Sequence, residues 1–148
     1  MVQALVLFEK ELRLLSHAFD FELLALDTNR YVDLMRGDAE VRALVEGART
    51  VLVPFVVVAE LRAGFAVGTQ GRANERFLQR FLAKAGVEVA YATDATTHQY
   101  ASLFRQLRQQ GTPVPTNDLW IAALVMEHGA SLCTRDAHFG KLAQLDVV

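Results

Sequence analysis

The sequence predicts a three-layer α/β domain with a central parallel sheet of four to five strands, plus an extra N-terminal helix. Short β-branched or leucine-rich runs alternate with longer stretches of helical period, the pattern of parallel β-α units joined by crossovers. The 148 residues are 52% hydrophobic and 22% charged, enough apolar material for one sizeable core and too much for a disordered chain. No repeat, low-complexity tract or linker divides the chain, so we read residues 1–20 as a helical extension and 21–148 as one domain.

Leu5, Phe8, Leu12, Leu15 and Phe19 recur every three or four residues, which predicts an amphipathic helix over about 2–19. Leu23–Leu26 reads as a buried strand ending at Asp27. Residues 30–47 read as one helix stopped by Gly47. Val51–Val53 is a second strand, with Pro54 at its end. Helix follows over 56–66, because Ala59, Glu60, Leu61, Arg62 and Ala63 favour helix over strand. Gly68 and Gly71 break it. A further helix covers 73–85 to Gly86, a third strand 87–91, and a helix 95–110, capped by Asp94 or Thr93 and stopped by Gly111. After Pro113 and Pro115, Thr116 or Asn117 caps a helix running to His128. Ser131–Thr134 is a fourth strand, a short helix follows Asp136, and 145–148 suits a last strand.

The net charge of −2 argues against a generally basic coat. Residues 61–110 nevertheless carry +4, and Arg72, Arg76, Arg80 and Lys84 recur every four residues along one helical stripe, which suits either a solvated helix face or a surface for nucleic-acid phosphates. The single cysteine, Cys133, excludes an internal disulfide and fits a reducing compartment. No apolar run is long enough to span a bilayer, and Glu9, Lys10 and Glu11 interrupt the N-terminal one; a soluble cytoplasmic protein is the expectation.

In an open parallel sheet, ligands bind at the carboxyl ends of the strands. Asp27 directly follows the first strand, and Asp136 stands two residues after Thr134 at the end of the fourth. Asp118 lies in the first turn of a helix, and Glu60 about one turn into another. Four carboxylates can therefore converge. Two like charges about 4 Å apart repel by roughly 4 kcal/mol at an effective dielectric near 20, so convergence calls for a cation. Carboxylate oxygens suit Mg²⁺ or Mn²⁺ rather than Zn²⁺. His17, His98, His128 and His138 look scattered, with no His or Cys cluster to compete. A carboxylate-held Mg²⁺ that keeps water suits phosphodiester hydrolysis.

Leu26-Asp27-Thr28-Asn29, Ala59-Glu60-Leu61-Arg62-Ala63-Gly64, Asn117-Asp118-Leu119-Trp120-Ile121-Ala122-Ala123 and Thr134-Arg135-Asp136-Ala137-His138-Phe139 resemble the four ordered motifs of PIN-domain ribonucleases. The likeness is nearest to the VapC-type toxins of bacterial type II toxin–antitoxin pairs and covers about residues 23–148. It implies an Mg²⁺-dependent endoribonuclease, with Mn²⁺ able to substitute. Asp27 and Asp118 would be the principal metal ligands, and Glu60 and Asp136 would complete the site, partly through water. Asn117 and Thr134 would orient ligands or water, and Asn29 would brace the loop holding Asp27. Arg62, next to Glu60, is the candidate phosphate clamp.

The resemblance also implies a homodimer and a cognate antitoxin. Phe55, Phe65, Phe77, Leu78, Phe81 and Leu82 supply apolar bulk for a partner surface. Members commonly begin almost at the first strand, whereas 22 residues precede Leu23 here. That extra helix is expected to pack across subunits. The competing reading is a non-catalytic PIN-like or receiver-like binding module. A receiver needs paired acids on its first strand and a Lys at the end of its last, and neither is present. An aspartyl-nucleophile phosphatase needs acids two apart, but position 29 is Asn.

Overall fold

The computed structural model describes Glu11 and residues 19–148; the expected helix over 2–19 lies almost wholly outside them. Four parallel strands, β1 (Phe21–Leu26), β2 (Ala48–Pro54), β3 (Val87–Ala90) and β4 (Ser131–Cys133), form one sheet in the order β3-β2-β1-β4. Leu24 of β1 pairs with Val51 on one side and with Ser131 on the other. This central strand is covered on both faces, and Leu24, Ala25 and Leu26 are inaccessible to solvent. That is why it reads as an uninterrupted apolar run instead of an alternating one.

Six helices join the strands: α1 (Thr28–Met35), α2 (Ala39–Glu46), α3 (Phe55–Val67), α4 (Gly71–Leu82), α5 (Asp94–Gln110) and α6 (Thr116–His128). A short 3₁₀ helix, Ala137–Lys141, follows β4. α5 packs along α6, and α3 along α4, in helical layers flanking the sheet. Ile121 through Val125 of α6 are all buried, so this helix is apolar around its circumference and belongs to the core.

Three expectations are corrected in detail. Residues 30–47 form two helices, not one. Gly37 takes a positive φ of 85°, and the Asp38 side chain accepts a hydrogen bond from the Val41 N–H, starting α2. Pro115, not Thr116 or Asn117, is the N-cap of α6, which places both polar residues inside its first turn. The last expected strand is a single bridge, Leu132 to Val147.

The topology fixes where a site can form. The strand order reverses between β1 and β4, and the crevice outside their carboxyl ends is where open α/β sheets bind ligands. The Asp27 N–H donates to the Cys133 carbonyl at 3.1 Å, which carries the β1–β4 pairing up to the first acid.

Candidate active site

Four elements deliver the four acids to this crevice. Asp27 leaves β1 and caps α1, its Oδ1 accepting from the Thr28 N–H at 2.7 Å. Glu60 sits in the second turn of α3 and Asp118 in the first turn of α6. Asp136 follows β4 and caps the 3₁₀ helix, its carboxylate accepting from the His138 N–H at 2.9 Å.

One chain of hydrogen bonds links them. The Thr28 hydroxyl donates to Glu60 Oε2 at 2.8 Å, while the backbone N–H of the same residue holds Asp27. The Thr134 hydroxyl donates to Asp27 Oδ2 at 2.6 Å and accepts from the Asp136 N–H at 3.0 Å. His138 Nδ1 lies 2.8 Å from Asp118 Oδ2 and 3.1 Å from Asp136 Oδ1. Asn117, the neighbour of Asp118, closes the circuit by donating to Glu60 Oε1 at 3.3 Å. Asn29 donates to Asp27 Oδ2 at 3.3 Å and accepts from the Arg135 N–H at 3.2 Å. Asn29, Asn117 and Thr134 therefore all touch the acids or the loops that carry them.

The electrostatics set like charges close together. Asp27 is only 5% exposed. Burial raises its pKa, the Thr134 and Thr28 hydrogen bonds oppose that, and the charges of Glu60 and Asp118 add to it. Asp118 is raised too, first by burial and then by Asp136, with the His138 hydrogen bond working the other way. Among the described residues, Asp118 and Asp136 pair with His138 alone, and no Lys or Arg bridges to Asp27 or Glu60. A hard divalent cation fits this donor set: it would supply the missing positive charge to oxygens already fixed by neutral donors.

Two neighbouring cations are engaged elsewhere. Arg62 does not turn towards Glu60; its guanidinium grips Glu75, with Nε 3.1 Å and an Nη 3.0 Å from Oε1. Arg135 forks onto Asp33 at 2.7 and 3.0 Å, leaving Asp136 without it. The apolar partner surface is also trimmed. Leu78 and Phe81 are core residues, whereas Phe77 is exposed beside Tyr31, Met35, Leu61 and Phe65 in a groove of about 360 Å³.

Sequence reasoning missed two residues. Thr28 lies inside the first motif, and its position at the start of a helix capped by Asp27 was the signal. His138 was set aside as scattered, yet it stands two residues after a capping acid, within one tight turn of that carboxylate.

The comparisons with known proteins agree with this geometry. The model of the PIN domain family matches residues 24–145. A VapC ribonuclease of Sinorhizobium fredii is 30% identical over 135 residues, covering 85% of this chain and 96% of its own. Ribonuclease VapC1 of Haemophilus influenzae is 32% identical over 121 residues, covering 75% and 84%. The crystal structure of VapBC2 from Rickettsia felis, bound to a DNA fragment from its promoter, superposes with a TM-score of 0.74 at 25% identity, covering 85% of this chain and 97% of that one. The matched family model spans all four acids, and the chain belongs to the PIN domain family, among its VapC ribonucleases.

Proposed function

We propose that this chain is an Mg²⁺-dependent endoribonuclease and the toxin of a toxin–antitoxin pair. The observation that carries the reading is the hydrogen-bonded circuit joining Asp27, Glu60, Asp118 and Asp136, with no Lys or Arg counter-ion among the described residues. Asp27 and Asp118 are the principal ligands, and Glu60 and Asp136 complete the set. A divalent cation held by these acids would lower the pKa of a water and neutralise charge developing on the scissile phosphate. Thr134 holds Oδ2 of Asp27 in place, and Thr28 and Asn117 do the same for the two oxygens of Glu60, so the carboxylates need little rearrangement on loading.

RNA as substrate is supported by the VapC ribonuclease relatives, and an antitoxin partner by the VapBC assemblies. The groove beside Phe77 suits an apolar segment of such a partner. We further propose a homodimer acting in the cytoplasm, and a boundary at residue 20 between extension and catalytic domain. No helix among the described residues is long and apolar enough to cross a membrane. A binding module that has lost catalysis would have no use for four intact acids. Arg62 reaches RNA only by releasing Glu75.

The test is cleavage of a mixed-sequence RNA by purified protein. Cleavage should require Mg²⁺ or Mn²⁺, stop with EDTA, and be lost in Asp118→Asn with the fold intact. An equally active Asp118→Asn variant would remove the site from the mechanism.

A further inference from the structure

We infer that His138 is itself a metal ligand, through Nδ1, and that it biases the site towards Mn²⁺ over Mg²⁺. This rests on reading the acids as a cation site. His138 Nδ1 and one carboxylate oxygen each from Asp118 and Asp136 lie within 4.8 Å of one another. The nitrogen is 2.8 Å from Asp118 Oδ2 and 3.1 Å from Asp136 Oδ1. Adjacent ligands of an octahedral ion with roughly 2.1 Å bonds stand about 3 Å apart, so both separations match the edge of such a shell. A cation seated among these three atoms would take Nδ1 as a ligand, leaving the ring N–H on Nε2.

The local fold makes this placement reproducible. The His138 backbone N–H donates to Asp136 Oδ1, so the turn that seats the ring is pinned to the same carboxylate that the ring approaches. Among the described residues the His138 ring pairs with these two carboxylates alone, and, being half-exposed, it has room to adjust. Mg²⁺ favours oxygen ligands, whereas imidazole nitrogen suits the transition metals.

The experiment is electron spin-echo spectroscopy of Mn²⁺ bound to the full chain, with Mn²⁺ and Mg²⁺ affinities measured by calorimetry. Expected are a directly coupled ¹⁴N on the bound Mn²⁺, its loss in His138→Asp, and at least about a tenfold narrowing of the Mn²⁺ over Mg²⁺ preference in that variant. His138→Gln should lose the same signal, and circular dichroism checks that both variants fold. If Mn²⁺ binds and Asp118→Asn abolishes binding, but no ¹⁴N couples or the coupling survives His138→Asp, the ligand assignment is overturned while the cation site stands. If Mn²⁺ does not bind, or binds equally well to Asp118→Asn, both readings fall.

Discussion

Replacing Thr134 by Val separates the hydrogen-bonded circuit from ordinary packing, because the two side chains have nearly the same shape. The Thr134 hydroxyl is buried and makes two bonds, one to the Asp27 carboxylate at 2.6 Å and one from the Asp136 N–H at 3.0 Å. Losing a bond to a charged group costs about 1.5–3 kcal/mol, and stranding the amide about 1 kcal/mol more. The sum, roughly 2.5–4 kcal/mol, corresponds to a fall in Tm of about 5–16 °C at about 2–4 °C per kcal/mol for a chain of this size. The assay is thermal unfolding by circular dichroism in EDTA at pH 7, with Thr134→Ser as the control that keeps the hydroxyl.

The pH dependence adds a sharper criterion. Asp27 has a native pKa above its ordinary 3.8, and Thr134 is a cause that lowers it, so Thr134→Val raises it further. A carboxylate raised in the native state binds protons more tightly there than in the unfolded chain. Its contribution is therefore most favourable at low pH and is lost as pH rises through the native pKa. The deficit of Thr134→Val should be largest at neutral pH and shrink as pH falls towards 3.8. A Tm within about 2 °C of wild type, or a deficit that Thr134→Ser shares in full, would refute the reasoning.

Asp118→Asn removes a half-buried carboxylate of raised pKa and keeps an oxygen for His138 Nδ1, so in EDTA at pH 7 its Tm should equal or exceed that of wild type; a clear fall would mean that the charge is stabilising. Asp33 behaves oppositely: Arg135 holds its carboxyl below the ordinary range, so its stabilisation is present above 3.8 and lost as pH falls through the native pKa, and Asp33→Asn should flatten acid unfolding followed by fluorescence. Leu24→Ala should destabilise by about 2–5 kcal/mol in urea titration, since the side chain has no solvent exposure in the central strand. In the same titration Gly64→Ala, in the open interior of α3, should stabilise by roughly 0.5–1 kcal/mol, whereas Gly71→Ala should destabilise, because its Cβ would fall 2.5 Å from the Phe65 carbonyl oxygen.

The alternation of elements and the position of Asp27 and Asp136 at strand ends were legible because both follow from short-range rules, whereas Glu60 and Asp118, inside helices, were singled out through the ordered motifs. Strand-length apolar runs marked β1 and β2, and an acid immediately after a parallel strand lands at the binding edge whatever the helices do. What escaped depends on side-chain reach. The break at Gly37–Asp38 rests on one left-handed residue and one cap inside an otherwise periodic stretch. Arg62 looked free beside Glu60, but helical geometry turns residues two apart to different sides, and Glu75 from α4 claims it. Arg135 goes to Asp33, 102 residues away in the chain, for the same reason: adjacency in sequence says nothing about the direction of a long side chain. His138 was hidden by counting histidines, when the informative feature was its offset of two from a capping acid.

Anomalous diffraction from a crystal of the full chain soaked in Mn²⁺ tests the central claim most directly. The account predicts a peak in contact with carboxylate oxygens of Asp27 and Asp118, with Asp136 and Glu60 no farther than a bridging water, and its disappearance in Asp118→Asn. A peak confined to other residues, or one that survives Asp118→Asn unchanged, would contradict it.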